Sequence, residues 1–270
     1  MTTGREPAAE PQGGTGSAVT VRDVSHSFGS RKSTRLEVLD DLNLDVPGGA
    51  FVSLVGPSGC GKSTLLKVLA GLLRPSNGEA TIGGVDAVGR TGVAAFMPQK
   101  DLLLPWRRAI DNAVLGAEIA GVDAAVAKRK ALDMFPAFGL DTFEKAWPSQ
   151  LSGGMRQRLA LLRTFLHPGT VLLLDEPLGA LDAITRREMH FWLQDVWNSD
   201  RRTIVLVTHD VEEALVLSDT VYVMSRRPGR FVLKVDVPFD RPRRSKLVSE
   251  LPFVELKAKL LQALAGKPAE

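Results

Sequence analysis

Cysteine is nearly absent, with Cys60 alone among 270 residues. One cysteine excludes an intrachain disulfide and a cysteine-based metal cluster, and it fits a reducing compartment best. Long apolar runs are missing too. TVLLL before Asp175 and TIVLV before Thr208 are strand-length, far below the roughly 20 residues of a spanning helix, so the chain is not expected to cross a membrane by itself. Residues 1–17, MTTGREPAAEPQGGTGS, contain no apolar run; they match no signal peptide and read as a disordered tail. No strong charge of one sign is present either. A net charge of +3 and a pI near 9.1 suit a phosphate-rich ligand, an anionic membrane surface or an ordinary solvated surface. No internal repeat with a solenoid period is visible.

With 44% hydrophobic and 24% charged residues, the chain is long enough to bury a full core as one large domain or two small ones. From Ala50 onward, short Val, Ile and Leu-rich runs alternate with helical stretches, which predicts a parallel sheet covered by helices, an α/β fold. FVSLVG (51–56), GVAAFM (92–97), VLLLD (171–175) and TIVLVT (203–208) are the expected buried strands. VTVRDVSHSF and LEVLDDLNLDV alternate like half-exposed antiparallel strands, as do VYVMS and RFVLKVDV. Between Pro98 and Ser152 the pattern is helical, with Pro136 ending or kinking one helix. The last helical segment places Phe253, Leu256, Leu260, Leu261 and Leu264 on one face, for docking on this chain's core or on a partner or membrane.

GPSGCGKST, Gly56 to Thr64, follows a strand and opens a helical run, as the phosphate-loop pattern requires. Gly56, Gly59 and Gly61 let the backbone wrap phosphate oxygens, with Pro57, Ser58 and Cys60 between them. Lys62 offers a charge to the β and γ phosphates, Ser63 a hydroxyl to Mg²⁺, and Thr64 a contact to the α phosphate. Cys60 reads as a small filler or as a redox-sensitive thiol. At the end of VLLLD, Asp175 is expected to hold Mg²⁺ through water and Glu176 to polarise the attacking water, both brought to one site by the turn that Pro177 begins. His209 ends a strand beside them as a γ-phosphate contact or a structural histidine. Asp210 and Glu213 predict a capping box for the next helix. His26, His167 and His190 receive no role.

These motifs occur in one order with Gln99 after GVAAFMP, LSGGM at 151–155 and LGALD at 178–182. The set resembles the ATP-binding subunit of ABC transporters over about residues 18–250. The resemblance implies a P-loop NTPase fold: a RecA-like core, an antiparallel β subdomain, a helical subdomain at about 99–155, and a C-terminal helix and tail at 251–270. It makes Gln99 the glutamine that reaches Mg²⁺ and water, Asp182 a dimer-interface residue, His209 the switch histidine and Phe28 the aromatic that stacks on adenine, unless Phe28 is a strand-edge core residue. It assigns Ser152, Gly153 and Gly154 to the partner's ATP, with two copies closing head to tail around ATP and Mg²⁺.

The LLPW and DN residues of LLLPWRRAIDN, with RRPGR at 226–230, resemble importer subunits for nitrate, sulfonate, taurine and pyrimidine precursors. LSGGMRQR with ALLRTFL resembles the hydroxymethylpyrimidine, thiamine-precursor branch. Met155 departs from the commoner LSGGQ. Trp106 is placed at a permease docking surface or in the core, Trp192 and Trp197 in packing, and the basic RPRRSK (241–246) near lipid or nowhere special. Two permease subunits and, indirectly, an extracytoplasmic solute-binding protein are the implied partners, at the cytoplasmic face of the cell membrane, with no nucleic acid. An exporter ATPase, or a non-transport ABC ATPase on nucleic acid or ribosome, is the alternative. About 90 residues between phosphate loop and LSGG leave no room for the long coiled coil of chromosome ATPases.

Overall fold

The computed structural model describes residues 16–29 and 35–266. Most of the expected N-terminal tail and the last four residues lie outside them. Ser17, at the tail's end, accepts a hydrogen bond from Thr203 Oγ1 at 2.7 Å through its carbonyl and one from Thr170 Oγ1 at 2.9 Å through its hydroxyl.

Among the described residues ten strands form two sheets. The first is antiparallel, in the order β2 (Leu36–Val46), β1 (Val19–Phe28), β4 (Asn77–Ile82), β5 (Val85–Asp86). The second runs β10 (Phe231–Asp236), β9 (Thr220–Met224), β3 (Phe51–Val55), β8 (Thr203–Thr208), β7 (Val171–Asp175), β6 (Ala95–Met97). All pairs in the second sheet are parallel except β9 with β10. β9 was expected to be half-exposed. It is buried instead, because its parallel pairing with β3 draws it into the central sheet. β6 is shorter than GVAAFM suggested.

The unbroken apolar runs of β3, β7 and β8 have a packing cause. Phe51, Val55, Leu172, Leu174, Ile204 and Leu206 face one core, while Val52, Leu54, Val171, Leu173, Val205 and Val207 face another. A strand covered on both faces has no side that selects polar residues. The first core packs under α5 (Gly153–Leu166), α6 (Ala183–Asp200), α7 (Val211–Leu217) and α8 (Leu251–Leu264). The second lies between the two sheets around α1 (Lys62–Leu69).

Between the sheets' strands the chain inserts α2 (Ala109–Ala113), α3 (Leu115–Ile119) and α4 (Ala124–Met134), all of which contact α5. Pro136 follows α4 and opens a short 3₁₀ turn, Pro136–Phe138, so it ends the helix. Trp197 is fully buried on Phe51, and Trp192 packs edge-on to Phe138.

On α8, Phe253 and Leu260 are buried and Leu256 and Leu264 pack beside them, against this chain's own core. Leu261 departs from the expected face and is half-exposed, since its position is one residue, about 100°, past Leu260. The RPRRSK segment is not a basic surface throughout. Arg243 is buried, donating to Leu215 O at 2.9 Å and Phe239 O at 3.0 Å, and burial lowers its guanidinium pKa to about 10. Arg241 stacks over Trp197 and pairs with Asp219.

Candidate active site

The parallel register brings the carboxyl ends of β6, β7, β8 and β3 to one edge of the sheet, the edge where α/β folds collect ligands. Each strand delivers residues there. β3 runs into Gly56–Thr64, β7 ends in Asp175 and Glu176, β8 leads to His209, and β6 is followed by Gln99.

The loop after β3 closes around its own lysine. Gly61 has φ +109°, and a Cβ there would overlap Leu39, so the turn requires glycine at this point. Lys62 is buried, with Nζ donating to Gly56 O at 2.6 Å and Pro57 O at 3.1 Å. Among the described residues no carboxylate forms an ion pair with it. Cys60 is buried under the loop, its Sγ 3.8 Å from Lys62 Nζ. Above lies a cavity of about 420 Å³ whose lining includes Ser58, Gly59, Gly61, Lys62, Ser63, Thr64, Phe28, Gln99 and Glu176. A buried, unpaired cation at the floor of a polar cavity is a site built for an anion. Phe28 is 46% exposed on the cavity wall, its ring edge-on to His26 at 4.5 Å, so it is no strand-edge core residue.

Ser63 Oγ donates to Asp175 Oδ1 at 3.0 Å. Burial pushes the Asp175 carboxyl above the usual carboxylate range, and the Ser63 bond pulls the other way. A hydroxyl and a desolvated carboxylate side by side suit a hard divalent cation, whose charge would reverse that shift.

Glu176 is where the groups converge. Its Oε2 accepts from Gln99 Nε2 at 3.1 Å, and its Oε1 lies 3.3 Å from His209 Nδ1. Its backbone has φ +48°, a conformation rare outside glycine. The reversal that turns Glu176 toward the cavity is thus made in Glu176 itself, ahead of Pro177, at a cost of about 1–3 kcal/mol. Three hydrogen bonds to its backbone hold it: Glu176 N donates to Val207 O at 2.9 Å, and Glu176 O accepts from Gln157 Nε2 at 3.2 Å and from Gly179 N at 3.2 Å. Gln157 escaped the sequence reading. Its signal was a glutamine on the buried face of α5, one turn before Ala160 and Leu161.

Other expected residues stand apart. Ser152 caps α5, its Oγ accepting from Met155 N at 3.2 Å, and neither it nor Gly153 nor Gly154 lines the cavity. Asp182 caps α6, accepting from Ile184 N at 3.1 Å and Thr185 N at 3.0 Å, and the Thr185 side chain together with these backbone bonds holds its carboxyl below the usual range. Asp210 caps α7, but the reciprocal half of the expected capping box is missing. The Asp210 N–H is already bonded to Thr208 Oγ1 at 3.0 Å, and Glu213 turns inward to His190 Nε2 at 3.4 Å.

The ABC transporter family profile matches residues 39–179. An aliphatic sulfonates import ATP-binding protein of Mesorhizobium japonicum is 48% identical over 92% of this chain and 89% of its own length. One from Burkholderia ambifaria is 44% identical over 94% of this chain and 74% of its length. A taurine import ATP-binding protein of Rhizobium johnstonii is 43% identical over 82% and 84%. Among solved structures, a dimeric ATP-binding cassette in a post-hydrolysis state, bound to ADP and phosphate, superposes with a TM-score of 0.73 at 27% identity, over 82% of this chain and all of the other. A phosphate-loop sequence, a part-buried Ser63–Asp175 pair and a glutamate at the ends of neighbouring parallel strands, matched over this span of sequence, make the chain a member of the ABC transporter family, an ATP-binding cassette.

Proposed function

We propose that the chain is the ATP-hydrolysing subunit of an importer for small sulfonates, working as a pair of copies on two membrane subunits. The observation that carries the hydrolytic reading is the meeting of Gln99 and His209 on the two oxygens of the Glu176 carboxylate, at 3.1 and 3.3 Å. Lys62 and the loop N–H groups hold the terminal phosphates, Phe28 stacks on adenine, and Thr64 contacts the α phosphate. Ser63 and Asp175 hold Mg²⁺, with Gln99 at its edge. Among the described residues no group of three His, Cys, Asp or Glu gathers; an ion held by Ser63 and Asp175 would draw further oxygen ligands from phosphate and water. Bound there, it neutralises charge on the phosphates.

Glu176 accepts the proton of the attacking water, while Gln99 and His209 orient its carboxylate. Ser152, Gly153 and Gly154 present the start of α5 to the partner copy's ATP, and Asp182 sits at the copy-to-copy interface. The dimeric cassettes among the solved structures support this pairing. A second groove of about 710 Å³, lined by Leu72, Phe96, Leu102, Leu115 and Ile119, gives the membrane subunits an apolar place to dock. Trp106, 71% exposed, lies outside the core and offers a second apolar contact for such a partner. Among the described residues no helix is long and apolar enough to cross a membrane; attachment at the cytoplasmic face then runs through these partners.

The solute follows from the relatives' names rather than from the cavity. Reconstituted with its membrane subunits and solute-binding protein, the complex should show ATPase activity stimulated by taurine or an alkanesulfonate. Stimulation by a pyrimidine precursor instead would move the chain to the other branch, and no stimulation by any solute would count against import. In the same assay Glu176→Gln should lower kcat by about 10²–10⁴-fold and trap an ATP-bound dimer on size exclusion.

A further inference from the structure

The RRPGR segment, 226–230, has no part in the reading above, yet it lies against the nucleotide cavity. It joins β9 to β10 and is fastened on two sides. Toward β2, Gly229 N donates to Val38 O at 2.9 Å, Asp40 N donates to Gly229 O at 3.1 Å, and Arg230 Nε donates to Asp40 Oδ2 at 2.8 Å. Toward the phosphate loop there is no space at all: a Cβ on Gly229 would overlap the Cys60 carbonyl. Ser225 closes the turn from within, its Oγ donating to Pro228 O at 3.1 Å and accepting from Arg230 N at 3.0 Å.

This double clamp fixes the backbone that carries Arg227, and the Arg227 side chain lines the cavity beside Phe28, Leu36 and Val38. The lining holds two cations, Lys62 and Arg227, and one carboxylate, Glu176. Glu176 is engaged by Gln99 and His209. Arg227 is exposed and forms no ion pair among the described residues. An unpaired guanidinium on the wall of an anion cavity, presented by a rigid turn, is matched to phosphate oxygens by its planar fork of donors.

We propose that Arg227 is a nucleotide-binding residue whose guanidinium meets the phosphate chain from the wall that carries Phe28, opposite in role to the floor held by Lys62. The proposal rests on the reading of this cavity as the ATP site. Among the described residues Arg227 forms no hydrogen bond or ion pair with Glu176, Gln99 or His209, and its proposed contribution is binding that is equal in the ground and transition states. Such an interaction moves KM and leaves kcat alone.

The test is equilibrium binding of MgATP, ADP and adenosine to the purified full-length protein by calorimetry, at low and moderate salt, with steady-state ATPase alongside. Arg227→Ala should weaken MgATP binding about tenfold, the scale of one partly exposed charged hydrogen bond, with kcat changed less than about twofold. Its Kd should also depend less steeply on salt. Arg227→Lys should recover part of the loss, through charge without the fork. Gly229→Ala, which displaces the turn from Cys60, should weaken binding in the same direction and lower Tm as well. Unchanged MgATP affinity in Arg227→Ala, while Lys62→Ala abolishes binding, would overturn the assignment of Arg227 and leave the ATP site standing. Unchanged affinity in both variants would overturn the site itself. Equal weakening for adenosine, which has no phosphate, would overturn the phosphate contact.

Discussion

The chain has two glycine-rich turns that open helices, Gly56–Thr64 and Leu151–Gly154, and they differ in what surrounds them. The first is backed by its own cation, Lys62, sits in a cavity, and shares a hydrogen bond with Asp175. The second has Ser152 as a helix cap, an exposed Gly153 and a half-buried Gly154, and none of the three lines that cavity. A helix start attracts anions through its free N–H groups, but only the first turn has a cavity and a buried cation within one chain. In the proposed dimer the second is half of a site that a second copy completes.

The largest effects are those that break one half at a time. Lys62→Ala and Ser152→Ala should each lower ATPase activity of the assembled protein, by about a hundredfold or more for the lysine. Only the lysine change should remove ATP binding by the isolated chain. Mixing the two variants should restore activity, since a mixed pair contains one intact Lys62 facing one intact Ser152. No recovery on mixing, with dimers confirmed by light scattering, would mean that each turn serves its own chain.

A smaller effect tests the link between the two turns. Gln157 lies on the helix that Ser152 opens and holds the carbonyl of Glu176. Gln157→Leu should loosen that strained backbone, leaving the Gly179 N and Val207 O bonds in place, and reduce kcat about tenfold through misplacement of the carboxylate, with the Kd for ATP unchanged. A rise in Kd without a fall in kcat would assign Gln157 to general packing.

The smallest effect concerns stability. Burial raises the Asp175 pKa, so its ionised form is the disfavoured one in the folded chain. Its contribution to stability is therefore full below the unfolded carboxylate range and lost as pH rises through the raised folded value. Asp175→Asn should raise the Tm of the nucleotide-free protein at neutral pH, with the gain shrinking toward about pH 4, while MgATP turnover is lost. A Tm gain that is the same at both pH values would show that the charge is not its cause.

The phosphate loop was legible because its glycines, lysine and serine are consecutive in sequence. The same holds for VLLLD, whose four aliphatic residues mark a strand covered on both faces. Arg227, Gln157 and the burial of Arg243 were not legible, because each depends on a contact with a residue far along the chain: Arg227 on the turn clamped to Val38 and Cys60, Gln157 on Glu176, Arg243 on the end of α7. β9 was misjudged for the same reason, its exposure being set by its neighbour β3 rather than by its own alternation.

By itself, then, the sequence determined the family, the order of the strands and the glycine-rich turn after β3, because these are written in local runs whose backbone conformation is set by glycine and by apolar periodicity. Only the tertiary structure decided which groups meet. The parallel register sets Gln99, Asp175, Glu176 and His209 on one edge, and a left-handed backbone at Glu176 aims its carboxylate between Gln99 and His209. Distances between strand ends are set by pairing across the sheet, which no single segment encodes.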